Sequence, residues 1–144
     1  VPTDVAAFRK IQNTPAWSGN ASARYDLAVG EGEVSVGAGI SWKSTTYQFE
    51  VPNPYLDQPA YSLVDASLIY TAPGKRWTLG VFGKNLTNKK YKTSGYTFMA
   101  ANATTGALTT LANGNLVSAL GREGTLTTFY GNPRQVFVTA TVNF

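Results

Sequence analysis

The sequence predicts an all-β fold: an antiparallel meander of about five long strands that does not close on itself. Three observations predict it. Five segments, near 17–27, 34–43, 62–71, 77–86 and 134–144, alternate apolar and polar residues with period two, as strands with one apolar face do. Their connections run short, long, short, long. Aromatic residues bracket the apolar face at both ends.

The first segment sets Trp17, Ala21, Ala23, Tyr25 and Leu27 against Ser18, Asn20, Ser22, Arg24 and Asp26. A Gly-rich turn at 28–33 joins it to the second, a hairpin connection. There Val34, Val36, Ala38, Ile40 and Trp42 oppose Ser35, Gly37, Gly39, Ser41 and Lys43. A long loop near 44–60, with Pro52, Pro54 and Pro59, leads to the third, where Val64, Ala66, Leu68 and Tyr70 oppose Leu63, Asp65, Ser67, Ile69 and Thr71. Another short connection, at 72–76, leads to the fourth, with Trp77, Leu79 and Val81 against Thr78, Phe82 and Lys84.

A second long loop, near 87–133, follows; connections of that length are functional or disordered. Its stretch 102–110 is low in complexity, and 114–130 has enough β-branched and aromatic residues to extend the flanking strands as a hairpin. The last segment carries Val136, Val138, Ala140, Val142 and Phe144 on one face. It is expected to pair with the 77–86 strand. Helical periodicity is confined to a possible turn at 4–11.

Composition narrows the function classes. The 144 residues include no Cys and no His, which removes a thiolate nucleophile, a disulfide framework and the commonest acid/base and metal ligand. No cofactor, no metal site and no catalytic residue is expected. Charged residues are 14%, against about 25% in soluble domains. The net charge is +4 and the only dense basic group is Lys89, Lys90 and Lys92, so no nucleic-acid partner is expected. Gly30-Glu-Gly32 precedes no helix and is no dinucleotide fingerprint.

Antiparallel strands place every second connection at the same end, so all short turns lie at one end and all long loops at the other. Transmembrane β-barrels have this asymmetry, with tight periplasmic turns and long extracellular loops. Trp17 and Trp42 at the long-loop end, with Tyr25, Tyr70 and Trp77 at the short-turn end, mark two membrane interfaces. The strand charges Arg24, Asp26, Lys43, Asp65 and Lys84 lie opposite the apolar face, among small Ser, Thr, Gly and Asn. Arg134 has the apolar parity but stands at the very start of its strand. Five strands leave open edges, which lipid does not tolerate, so the sheet needs strands outside this sequence. The first residue is Val1, not Met, and the chain is read as the C-terminal portion of something longer.

Four stretches give the chain a family likeness: 14–20 (Thr-Pro-Ala-Trp-Ser-Gly-Asn), 58–65 (Gln-Pro-Ala-Tyr-Ser-Leu-Val-Asp), 81–91 (Val-Phe-Gly-Lys-Asn-Leu-Thr-Asn-Lys-Lys-Tyr) and 130–136 (Tyr-Gly-Asn-Pro-Arg-Gln-Val). In them it resembles the β-barrel of TonB-dependent outer-membrane receptors of Gram-negative bacteria. The resemblance implies the last strands of a barrel of about 22 strands, within the even-numbered bacterial range. It implies uptake of a scarce nutrient such as a siderophore, cobalamin or a carbohydrate, without enzymatic activity. The implied partners are the rest of the barrel, a plug domain, the TonB complex through a missing N-terminal part, and outer-membrane lipid. It also implies that the barrel-assembly machinery reads Val138, Ala140, Val142 and Phe144.

Candidate substrate contacts are Arg24, Lys43 and Lys84, expected in the lumen, and the loop aromatics Tyr96, Phe98 and Tyr130. The lumen charges could equally pair with Asp26 and Asp65. The alternative reading is a soluble β-barrel or sandwich that binds a small apolar ligand. It requires Val36, Ile40, Leu68, Val81 and Val138 to share one buried core.

Overall fold

A computed structural model describes residues 9–102, 104–105, 107–119 and 126–143. Seven strands follow in order: β1 (Ser18–Val29), β2 (Gly32–Lys43), β3 (Tyr61–Thr71), β4 (Trp77–Lys84), β5 (Lys92–Thr97), β6 (Leu126–Tyr130) and β7 (Gln135–Val142). A 3-10 turn at Pro73–Lys75 precedes β4, and no α-helix occurs among the described residues. Two compact units result.

The first is a five-stranded antiparallel sheet in the order β1-β2-β3-β4-β7. The outer edges of β1 and β7 have no strand neighbour among the described residues. Each connection that stays in the sheet is a hairpin, so the meander is all-β and open. At the β1–β2 turn Val29 faces Gly32, leaving Gly30 and Glu31 as a two-residue loop. Gly30 has φ +61, the left-handed value that a first turn residue without Cβ adopts freely.

Register fixes the faces, because directly opposed residues of an antiparallel pair point the same way. One row reads Tyr25–Val36–Leu68–Val81–Val138 across all five strands, and the next reads Leu27–Val34–Tyr70–Leu79–Ala140. A third is Ala23–Ala38–Ala66–Gly83–Val136. On the opposite face, Ser22–Gly39–Asp65–Lys84–Gln135 and Arg24–Gly37–Ser67–Phe82–Phe137 form the corresponding rows, with Lys84 set beside Asp65 by the Ala66–Gly83 pair.

Strand limits differ from the sequence expectation in ways the backbone explains. β1 and β2 run on to the turn itself, because Val29 and Gly32 still exchange ladder bonds. β4 stops at Lys84 instead of 86. Asn85 turns into the left-handed region at φ +48, and its N–H donates to the Asp65 carboxylate at 2.9 Å instead of to the ladder. β7 spans Gln135–Val142 and pairs with β4; Phe144 lies outside the described residues, as does 4–8 of the expected helical turn.

The second unit gathers Val1–Ala16, Ser44–Pro59 and Tyr91–Gly131. The 87–133 loop carries its own strands. β5 and β6 pair as a separate two-stranded sheet, so residues 114–130 do not add to the sheet of the flanking strands. Bridges Met99–Ser118, Ala101–Leu108 and Thr110–Leu116 continue the hairpin irregularly. Leu56 is the one fully buried large side chain among the described residues. It lies against Gly95, where a Cβ would sit 2.6 Å from a Leu56 methyl carbon.

Candidate lipid-facing and ligand-facing surfaces

Soluble domains of this length bury a sizeable core. Here the buried apolar residues among those described are Leu56 and Ala72. Of the five residues that a soluble core requires, Val81 is the least exposed at 39% and Val138 the most at 63%. The apolar rows of the five-stranded sheet are therefore an exposed face, and the soluble, apolar-ligand alternative fails its own condition.

Aromatic rings occupy both ends of that face. Trp17 and Tyr25 are exposed. The Trp42 indole lies over Gly19, its cross-strand partner, where a Cβ would stand 2.5 Å from the ring. Tyr70 and Trp77 sit on adjacent strands with ring centroids 5.2 Å apart at 55°.

The two ends are displaced obliquely to the rows. From Tyr25 on β1 to Trp77 on β4 the aromatic position moves four residues toward the short turns. That is about 14 Å along the strand against about 14 Å across three strand spacings. From Trp17 to Trp42 it moves two residues in the same sense over one spacing. The first line is inclined about 45° to the rows, at the upper end of the 35–45° by which barrel strands tilt. The second, about 7 Å along against about 5 Å across, is steeper at roughly 55°.

On the opposite face, Arg24 Nε donates to Asp26 Oδ1 at 2.7 Å and its Nη2 to Ser35 Oγ at 2.9 Å. Lys84 Nζ lies 3.3 Å from Asp65 Oδ2. Arg24 and Lys84 thus come together along one trough of about 320 Å³, floored by Gly37 and Gly39 and walled by Ser67 and Phe82. Each already has a carboxylate, so the trough is close to neutral and not a basic lining. Lys43, at the end of β2, does not join it and has no carboxylate partner among the described residues. Phe82 and Phe137 stack across β4 and β7 at 5.2 Å and 12°.

Among the loop aromatics, Tyr96 meets Phe98 edge-on, centroids 5.7 Å apart, and Phe129 at 6.4 Å. Tyr130, at the end of β6, is exposed and outside this cluster. β5 shows two faces. Ser94, Tyr96 and Phe98 point out, while Gly95 and Thr97 are half-buried.

Polar staples position both long loops, and the sequence reading missed them. Asn85, 5% exposed, donates through Nδ2 to the Lys89 and Asn132 carbonyls and accepts from Lys89 N–H through Oδ1. Asn88 Oδ1 accepts from Arg134 N–H at 3.0 Å. The 81–91 and 130–136 stretches are thus two halves of one clamp, tying the exit of β4 to the entry of β7. Gln58 accepts from Lys92 N–H at 2.6 Å, and Lys92 Nζ donates to the Tyr55 and Asp57 carbonyls. Asp57 accepts the N–H of Asn53 and of Gln48. Partial burial raises its carboxyl above the ordinary range, against those two bonds and nearby Lys92. The available signal was an Asn directly after a strand, a residue type that tolerates positive φ.

No group of metal-binding side chains occurs among the described residues. An open antiparallel wall with one exposed apolar face, one polar face and long loops at a single end defines a segment of a transmembrane β-barrel. The family model for TonB dependent receptor-like β-barrels matches residues 5–86, more than half of the chain, and the chain belongs to that family of outer-membrane receptors. No curated relative and no solved structure matches it.

Proposed function

We propose that this chain forms part of the wall of an outer-membrane receptor that takes up a scarce nutrient, such as a siderophore, cobalamin or a carbohydrate, by TonB-coupled transport and without catalysing a covalent reaction. The observation that carries this reading is the unbroken apolar face of five strands, exposed and bracketed by aromatics. Trp17, just before β1, and Tyr25 within it are eight residue steps apart, about 27 Å along the strand. At the usual tilt this is a depth of roughly 20 Å, close to the ~25 Å apolar band of such barrels.

In this reading Trp17, Tyr25, Trp42, Tyr70 and Trp77 sit at the two membrane interfaces. The outer edges of β1 and β7 pair with further strands of the barrel. Arg24, Lys43 and Lys84 face a lumen occupied by a plug domain, and Tyr96, Phe98 and Tyr130 meet substrate among the extracellular loops. Val138, Ala140, Val142 and Phe144 are read by the barrel-assembly machinery. The chain accordingly resides in the cell outer membrane.

The test is physical state and location. The protein should fractionate with outer membranes, and the isolated chain should require detergent. A monodisperse, detergent-free monomer of the isolated chain overturns the proposal.

A further inference from the structure

The irregular hairpin of the second unit ends in a tight turn. Thr110 and Leu116 bridge antiparallel. Leu111 N–H donates to the Asn115 carbonyl at 2.8 Å, and Gly114 N–H donates to the Leu111 carbonyl at 2.9 Å. Residues 112–114 therefore reverse the chain. Gly114 takes φ +82, the left-handed place that such loops give to a residue without Cβ. Ala112, Asn113 and Gly114 are exposed, and a Cβ placed on Gly114 would meet nothing within 4 Å among the described residues.

The Asn113 side chain bends forward along the chain. Its Oδ1 accepts the Asn115 N–H at 3.0 Å, which makes an Asx turn. The ring closed by that bond contains both the Asn113 Cγ and the Gly114 nitrogen, so the amide carbon is turned toward the nitrogen that follows it. Asn53 and Asn102 form the same turn, and the comparison isolates Asn113. Asn53 accepts the Tyr55 N–H, but it is 5% exposed, and Pro54 follows it with a nitrogen that has no proton to lose. Asn102 accepts the Thr104 N–H, and it is followed by Ala103, a residue whose Cβ crowds the nitrogen. Asn113 alone among the asparagines of the sequence precedes a glycine.

We infer that Asn113 is a site of spontaneous deamidation through a cyclic imide, with water as the only co-reactant. The Gly114 N–H gives its proton to hydroxide, and the nitrogen attacks the Asn113 Cγ. A bond forms between Cγ and the Gly114 nitrogen while the Cγ–Nδ2 bond breaks. Nδ2 leaves as ammonia, with the bonding pair and a proton from water. Water then opens the imide. Attack at Cγ restores the backbone with an aspartate at 113; attack at the main-chain carbonyl carbon leaves an isoaspartate, with Cβ and Cγ in the backbone. Nothing is oxidised or reduced. The bond from Gly114 to Leu111 must open first, and exposed hairpin tips open at little cost. Either product sets a new carboxylate at the tip, and the isoaspartate lengthens the chain where the turn holds register. The inference concerns this loop alone and stands apart from the receptor reading.

The experiment incubates the full chain in detergent micelles at neutral and at mildly alkaline pH. Peptide mass spectrometry reads the amide-to-acid change at each asparagine, and electron-transfer fragmentation separates isoaspartate from aspartate. Asn113 should convert at least about tenfold faster than any other asparagine, chiefly to isoaspartate. The rate should rise roughly tenfold per pH unit, as the population of the deprotonated nitrogen does. Gly114→Ala should slow it about tenfold. Asn113→Gln leaves the backbone alone and should remain an amide, because its closure needs a larger ring. Circular dichroism in the same micelles reports the folding of each variant. An intact Asn113, conversion to aspartate without isoaspartate, or a rate indifferent to Gly114→Ala overturns the inference.

Discussion

At the scale of single residues, the most consequential side chain is one without chemistry of its own. Asn85 makes three hydrogen bonds from a buried position and adopts φ +48, so it satisfies a backbone requirement and closes a loop at once. Two substitutions separate those roles. Asn85→Gly keeps the left-handed backbone and loses the clamp, and should cost about 2 kcal/mol, because Lys89 and Asn132 lose their partners. Asn85→Ala adds the strain of a Cβ at positive φ and should cost about 1 kcal/mol more. Protease nicking within 86–133 should accelerate in both variants, with urea unfolding in detergent giving the energies. Equal stability of the wild type and the Gly variant would remove the clamp from the account.

At the scale of the element, each strand carries two environments separated by one residue. Val81 on β4 lies on the apolar face four residues from the interfacial Trp77 and opposite Val138 on β7, while Thr139, the next residue of β7, points the other way. Val81→Arg should destabilise insertion into lipid vesicles by about 2–4 kcal/mol, as a charge at the midplane of a barrel's lipid face does. Thr139→Arg should cost under about 1 kcal/mol, because its face is polar. Urea titration of refolding into vesicles measures both. Similar penalties at the two positions would mean that the faces are not distinguished by lipid. The same period-two logic explains β5, whose inward face is tied to Leu56 while its outward face displays rings.

For the whole molecule, the decisive property is incompleteness. Among the described residues the sheet has free edges at β1 and β7, which leave unpaired N–H and C=O groups that lipid cannot satisfy. In the isolated chain in detergent, amides of β1 and β7 should exchange with deuterium faster than those of β2, β3 and β4. In the membrane-embedded receptor the difference should vanish, because neighbouring strands cover both edges. Exchange read by mass spectrometry checks this, and persistent fast exchange at both edges in the membrane would contradict a closed wall.

The sequence by itself determined the five alternating segments, their order and the separation of apolar from polar faces, since a two-residue period follows from strand geometry alone. It also determined the family, through short stretches whose asparagines, glycines and prolines set local backbone. Tertiary structure decided what no local pattern contains. Register brought Arg24 to Ser35 across the β1–β2 pair and Lys84 to Asp65 across β3 and β4, which decided between free and paired lumen charges where the sequence left both open. The left-handed turn at Asn85 ended β4 early, because the Asp65 carboxylate captured an N–H that the ladder would otherwise have used. The 87–133 loop folded into its own hairpin, since Gly95 admits Leu56 beneath it, a contact between residues 39 positions apart. Long-range contacts of that kind depend on which surfaces meet in space, and the periodicity of a chain says nothing about where its loops return.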